Sequence, residues 1–351
     1  MMLSNYKLED IGILVDGSII GNSSSEINQI ITDSRSPLCG PNSLFIAIKG
    51  LNRDGHDFIK SAYNNGIRNF LIEKDQTNLP PEANYIIVEN TLSALQEWAK
   101  KHRDKFKIPV IAVTGSNGKT IVKEWLYHFL RAEFNIIRSP KSYNSQLGVP
   151  LSLLMINKEH ELAIIEAGVS EPGEMIKLKE IINPTHSLVT NIGTAHLENF
   201  ISKKELEKEK LILIKDSKSF GPSKIFQKID SFSEHNQVEF LNVIDFQNNS
   251  DGQQINYIWN GNNYHFIIPH LDITAAQNAS SCVNLLLHFG FSPVKIAELS
   301  LSLPSIALRL QKRKGKKNSL IIDDTYNSDL ASIEIALQFL ENERGNKKTL
   351  V

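Results

Sequence analysis

Residues 110–130 constrain the fold most: a wholly apolar strand runs into a glycine loop, and the loop runs directly into a helix. Val110 to Val113 follow Pro109 with no polar residue among them. The loop carries Gly115 and Gly118, and Val122, Trp125, Leu126, Phe129 and Leu130 then recur at helical spacing. A strand apolar on both faces belongs inside a parallel sheet with helices on either side. The loop, Thr114, Gly115, Ser116, Asn117, Gly118, Lys119 and Thr120, reads as a phosphate cradle. Glycines without Cβ let backbone amides approach phosphate oxygens, the helix start adds its positive dipole end, and Lys119 adds a mobile charge. The Thr120 hydroxyl is then placed for Mg²⁺. The spacing, G-x-x-G-K-T, is two residues shorter than the general G-x-x-x-x-G-K-[ST] form, and an ordinary strand-turn-helix joint is the plain alternative.

The rest of the chain alternates in the same way. After the loop, 135–138, 162–167 and 186–191 read as strands, with 171–182 helical between the last two. Strand and helix in turn predict a parallel α/β sheet, whose ligands sit beyond the carboxyl ends of the strands. The polar residues ending these strands are therefore the informative ones: Glu166 on one, Asn191 and then His196 on another. Glu166 follows four apolar residues, where a carboxylate is costly unless it is paired or on a metal; a buried structural ion pair is the competing explanation. A histidine in a loop is ordinarily a surface residue, but beside this crevice a neutral His196 with Glu166 makes a second metal position. Ser202 and Glu205 cap a charged helix whose lysines are mostly solvated, except that Lys210 directly precedes the apolar run 211–214.

Before the loop, residues 1–105 read as a small α/β unit, with strands at 27–32, 43–49, 69–73 and 85–88. Its polar cluster, Ser34, Arg35, Lys49 and His56, suits an anionic ligand, though turn chemistry alone explains such residues as well. From 217 to 269 short β segments follow, including 238–243 and a hairpin turning at 260–263. Two helices come next, and the basic run 311–318 reads as a solvated turn between strands. A strand at 319–324 opens a further βα unit that is expected to be cut short at Val351. The expected division is thus an N-terminal domain at 1–105, a central ATPase-type domain with added β segments at 106–318, and the start of a Rossmann-like C-terminal domain at 319–351.

Composition excludes several classes of function. With 38 Lys+Arg against 39 Asp+Glu there is no overall field to recruit nucleic acid. No apolar run approaches the ~20 residues that cross a bilayer, and residues 1–10 lack a secretory signal pattern. Cys39 and Cys282 lie far apart with no pairing pattern, which suits a reducing compartment. A cytoplasmic monomer is expected.

Several short stretches then line up in order: Asp33 to Arg35, Leu44 to Gly50 with Asp54 to His56, the loop Thr114 to Thr120, Tyr143 to Pro150, Ile165 to Gly168 with Pro172 to Glu174, Val189 to Glu198, Leu308 to Leu310 and Asp323 to Asn327. Taken together they resemble the Mur ligase family from residue 33 to 327, and the short loop spacing is that family's own. The wording Tyr326 to Leu330 is similar to members fused to an alanine racemase.

The resemblance implies an ATP-dependent amide ligase of peptidoglycan precursor synthesis that joins D-alanyl-D-alanine to UDP-MurNAc-tripeptide through an acyl phosphate. It implies that Lys119 and the loop hold ATP phosphates, that Thr120 and Glu166 hold one Mg²⁺, that His196 holds a second, and that Lys210 is carbamylated. Asn278 matches an adenine-side asparagine, while Arg309 and Asp324 match phosphate and ribose contacts. Thr274 and Ala275 depart from the His-Asn pair that precedes that asparagine in family members. Ser34, Arg35 and Asn144 are the substrate-binding candidates. Two alternatives stand: a related ligase of folylpolyglutamate type with another acceptor, and a nucleotide-binding chain without ligase activity.

Overall fold

The computed structural model describes residues 2–37, 39–74, 76–222, 238–250, 252–306, 311–316, 319–323 and 325, with five positions between 333 and 341. The first sheet holds β1 (Met2–Lys7), β2 (Ser18–Ile20), β3 (Glu26–Ile31), β4 (Ser43–Ile46), β5 (Asn69–Glu73) and β6 (Asn84–Val88), in the order β1-β3-β4-β5-β6-β2. Strands β3 to β6 are parallel, and the two outer strands run antiparallel to their neighbours. Helices α1 (Leu8–Leu14) and α2 (Ile59–Asn64) accompany them. β4 is buried along its whole length, as a central parallel strand must be.

Helix α3 (Thr91–Arg103) ties this unit to the next. Asn90 caps it by accepting from the Ser93 amide at 2.8 Å. Trp98 and Leu95 belong to one apolar core that contains residues of both sheets. The Arg103 guanidinium donates to the carbonyls of Phe106 (2.6 Å) and Ile182 (3.2 Å), closing the joint with bonds to backbone.

The second sheet holds β7 (Val110–Thr114), β8 (Ile136–Arg138), β9 (Leu162–Glu166), β10 (His186–Val189), β11 (Lys218–Phe220) and β12 (Val238–Glu239), in the order β12-β11-β10-β7-β9-β8, all parallel. β7 and β9 are buried throughout. Helices α4 (Lys119–Leu130), α5 (Gly148–Leu153), α6 (Glu174–Ile182) and α7 (Lys203–Leu211) connect the strands. The chain leaves β7 toward β8 and β9 and then returns to β10 on the other side. The order therefore switches at β7, where an open α/β sheet places its ligands.

Val238–Glu239 corrects one expectation. Instead of opening the β-meander it joins the second sheet as an edge strand parallel to β11. The meander consists of β13 (Asn242–Asn249), β14 (Gly252–Trp259) and β15 (Asn262–Ile268). The expected hairpin turn is present, with Asn260 (φ 49°) and Gly261 (φ 78°) both left-handed, as a two-residue turn between twisted strands requires. Ile255, Tyr257, Phe266 and Ile268 pack with α4 and with helix Ile273–His288. Helix Pro293–Ser300 follows.

The basic run is the second correction. Its first four residues form β16 (Gln311–Lys314), which pairs antiparallel with β17 (Leu320–Asp323), and Arg313 meets Asp323 at 3.0 Å. The lysine and arginine side chains obscure in sequence a backbone that pairs normally.

Candidate active site

Four loops meet beyond the carboxyl ends of β7, β8, β9 and β10, around a cavity of about 240 Å³ lined by residues including Ser116, Asn117, Gly118, Lys119, Thr120, Asn144, Glu166 and His196. Larger hollows of about 490, 430 and 420 Å³ lie elsewhere, so size alone does not mark this one. Its chemistry does.

The phosphate-type loop is held rigid from the side. Gly115 has φ 140°, and a Cβ there would lie 2.1 Å from Thr190 Oγ1. The Ser116 amide donates to the Asn191 carbonyl (2.9 Å) and the Asn117 amide to Asn191 Oδ1 (2.8 Å). Thr190 Oγ1 donates to the Asn117 carbonyl at 2.5 Å, and the Gly193 amide to Ser116 Oγ at 2.8 Å. Gly118 is left-handed (φ 83°) and caps α4 without a side chain, so the first amides of that helix remain directed at the cavity. Lys119 Nζ lies back on the carbonyls of Gly115 (2.8 Å) and Ser116 (3.0 Å).

Glu166 is 1% exposed. Asn144 Nδ2 donates to its Oε1 at 2.7 Å, and Thr120 Oγ1 lies 3.0 and 3.2 Å from its two oxygens. Ser142 Oγ is 3.0 Å from Thr120 Oγ1. Asn144, expected among substrate contacts, thus sits directly on the carboxylate. His196 lines the same cavity and adopts a left-handed backbone (φ 67°), a strained state that proteins tolerate mainly where a side chain must be aimed. Among the described residues no group of three or more His, Cys, Asp or Glu forms a ready-made metal cluster.

Lys210 is 1% exposed, on the last turn of α7. Burial first, and then the like charge of Lys119, push its pKa down from 10.5 to about 8 against the opposing pull of Glu209. Asn278 is 2% exposed on helix Ile273–His288, and its buried amide Nδ2 has no hydrogen-bond partner among the described residues. That amide would lie 2.7 Å from a Cβ on Gly118, so it reaches the loop itself.

The other expected residues lie apart. Ser34 is buried in the first unit, and its carbonyl accepts from Asn65 Nδ2 (2.8 Å). Arg35 pairs with Asp33 at 2.9 and 2.7 Å, and this pairing holds the Asp33 carboxyl down at about 2. His56 is buried between Asp54 Oδ1 (2.5 Å) and the Glu73 amide (2.9 Å), which is turn and strand chemistry. Arg309 and Asp324 lie outside the described residues. Thr190 and Lys123 were not anticipated; Lys123 is wholly buried beside Glu166.

This combination of a braced glycine loop, a hydroxyl and a buried carboxylate on a switched parallel sheet is the site of an ATP-using α/β enzyme. The Mur ligase middle domain matches residues 113–284, and the Mur ligase family catalytic domain matches residues 26–103. The chain belongs to the Mur ligase family. It is 32% identical to the UDP-N-acetylmuramoyl-tripeptide–D-alanyl-D-alanine ligase of Buchnera aphidicola subsp. Acyrthosiphon pisum, over 98% of this chain and 78% of that protein. To the enzyme of that name from Bacillus subtilis it is 29% identical, over 93% and 73%. A crystal structure of MurF from Acinetobacter baumannii superposes with a TM-score of 0.87 at 25% identity, covering 98% of this chain and 78% of that one. MurF ligase from Thermotoga maritima in complex with ADP superposes at 0.76 and 25%, covering 90% and 75%.

Proposed function

We propose that this chain joins D-alanyl-D-alanine to UDP-MurNAc-tripeptide, converting ATP to ADP and phosphate. The observation that carries the reading is the meeting of Lys119 and Thr120, at the head of α4, with a buried Glu166 at the end of β9. The names of the Buchnera and Bacillus relatives support the choice of acceptor and dipeptide. In the overall reaction the tripeptide's terminal carboxylate takes the γ-phosphoryl group of ATP. The dipeptide amine then displaces phosphate from the acyl carbon and gives up a proton.

The residues present fit Mg²⁺. Thr120 and Glu166 offer hard oxygen donors at one point, few in number, as suits an ion that keeps water and phosphate oxygens in its shell. Bound there, Mg²⁺ supplies positive charge to the phosphoryl oxygens. We assign His196 as the residue that would hold a second ion. Lys119 swings from the loop carbonyls to the transferring phosphoryl group and neutralises its developing charge. Asn278 offers its free amide to the nucleotide, while Arg309 and Asp324 complete phosphate and ribose binding. Ser34 and Arg35 contribute to the UDP end. Lys210, with its amine pushed toward neutrality, is the carbamylation site. The three units divide near 105 and 318. The reaction belongs in the cytoplasm, where ATP is supplied; no helix among the described residues is long and apolar enough to cross a membrane.

The test is product formation by mass spectrometry from UDP-MurNAc-tripeptide, ATP and D-alanyl-D-alanine. Lys119→Ala removes two loop hydrogen bonds, worth about 1 kcal/mol each, so the fold survives. Turnover should fall about 100- to 1000-fold, and retained turnover refutes the assignment. Faster reaction with glutamate or a single amino acid moves the chain to another acceptor class. ATP binding with no product from any pair leaves a nucleotide-binding protein.

A further inference from the structure

Lys123 lies on α4 one turn beyond Lys119, and its side chain is 0% exposed. Its ammonium donates to the carbonyl of Ser139 at 2.8 Å and to that of Lys141. It also lies 3.2 Å from Glu124 Oε1 and 3.8 Å from Glu166 Oε2. Glu124 is shared with Arg138, whose Nε is 3.0 Å away, so charges alternate from Arg138 through Glu124 and Lys123 to Glu166.

The two carbonyls belong to the strip 139–144, and that strip touches both candidate Mg²⁺ donors. Ser139 Oγ accepts from the Glu166 amide (3.1 Å), Ser142 Oγ meets Thr120 Oγ1 (3.0 Å), and Asn144 Nδ2 donates to Glu166 Oε1 (2.7 Å). Lys141 is held left-handed at φ 48°, and its carbonyl accepts from the ammonium. One buried cation therefore anchors, at Ser139 and Lys141, the backbone of the strip whose side chains orient Thr120 and Glu166. Burying an ammonium costs several kcal/mol, and an apolar chain of similar volume in place of a buried ion pair is often neutral or stabilising. The Lys123 ammonium thus makes sense through what it holds in place.

We infer that Lys123 is a positioning residue: it locks the strip 139–144 and the Glu166 carboxylate in the geometry that accepts the nucleotide-bound Mg²⁺. The inference rests on the ligase reading above. Its test is calorimetric binding of ATP to the full chain in Mg²⁺ and in EDTA, with hydrogen exchange of amides 139–145. In the unaltered protein Mg²⁺ should raise the affinity for ATP. Lys123→Met should remove about 10- to 100-fold of that gain, the usual effect of losing a group that orients metal ligands. Affinity in EDTA should stay the same, and exchange across 139–145 should quicken. Lys123→Gln, which can still donate to Ser139, should recover slow exchange and part of the gain.

A Met variant that keeps the full Mg²⁺ gain overturns the inference, even if it melts lower, because the lysine is then only structural. A larger gain also overturns it, because mere removal of a like charge from beside the ion then dominates. If the Met variant does not fold, an unchanged gain in the Gln variant has the same force. Absence of any Mg²⁺ gain in the unaltered protein defeats the ligase reading as well, and so separates the two failures.

Discussion

The depressed pKa of Lys210 makes a quantitative prediction. At the ordinary value of 10.5, about 3 amines in 10,000 are neutral at pH 7; at about 8, roughly 1 in 10 are, a gain of about 300-fold. Only the neutral amine attacks CO₂, forming an N–C bond and releasing a proton. The product is an anion in the field of Lys119, so the charge that opposed the ammonium favours the carbamate. In ¹³C-bicarbonate at pH 8 the protein should show a carbamate resonance, and Lys210→Arg, equally basic in charge but unable to react, should lack it. Between pH 7 and 8 the signal should grow with the neutral fraction. Lys119→Met removes the neighbouring like charge and leaves burial in place, so carbamate should persist there at a lower level. No resonance in the unaltered protein, or an equal one in Lys210→Arg, refutes the reasoning.

Three further outcomes follow from the geometry. Gly115→Ala forces a Cβ to 2.1 Å from Thr190 Oγ1 on a φ of 140°; strain plus the lost Thr190 bond amounts to about 2–4 kcal/mol, read as a lower Tm and weaker ATP binding, and an unchanged Tm counts against it. Asn278→Ala deletes a buried donor that has no partner, so stability should hold while the KM for ATP rises about tenfold; a falling Tm with unchanged KM would mean that the amide serves only the core. Partial burial, with the like charges of His288 and Lys218, pushes half-buried His186 down to about 4. The unfolded chain then binds the extra proton between pH 6.5 and 4, so stability is present above 6.5 and is lost as pH falls toward 4, by about 2 kcal/mol once the full shift is discounted for solvent screening of a half-exposed ring. His186→Phe should flatten that part of the Tm profile, and a profile parallel to the unaltered protein's would exclude this histidine.

The strands that build the site were legible because each is short, apolar and followed by its functional residue: Val110 to Thr114 before the loop, and Leu162 to Ala163 to Glu166 before the cavity. Burial on both faces writes itself as an unbroken apolar run. Other elements left no such mark. β13 reads Asn-Val-Ile-Asp-Phe-Gln-Asn-Asn and is largely exposed, so its pairing comes from β14 and not from its own pattern. β12 is two residues long, below what periodicity resolves. Lys123 looks like one more solvated lysine. The signal for it was its place on the stripe with Leu126 and Leu130, three and seven residues on, which puts it on the buried face of α4. Thr190 has no sequence signal, since its work is done against a loop far away in the chain.

That distant contact also explains the short loop. A longer loop can wrap phosphate with many of its own amides, but here the amides of Ser116 and Asn117 are taken by Asn191. The donors left for phosphate are those at the head of α4 and the ammonium of Lys119. What the loop gives up in donors it gains in stiffness, because Thr190, Asn191 and Gly193 each bond to it. Those three residues also begin the stretch that reaches His196. The phosphate loop is therefore fixed, before any nucleotide arrives, to the start of the stretch that carries the candidate second-ion ligand. Glu166, anchored separately by Asn144 and the Lys123 strip, forms the opposing wall. For its ammonium to reach a phosphate set between these walls, Lys119 must leave the carbonyls of Gly115 and Ser116.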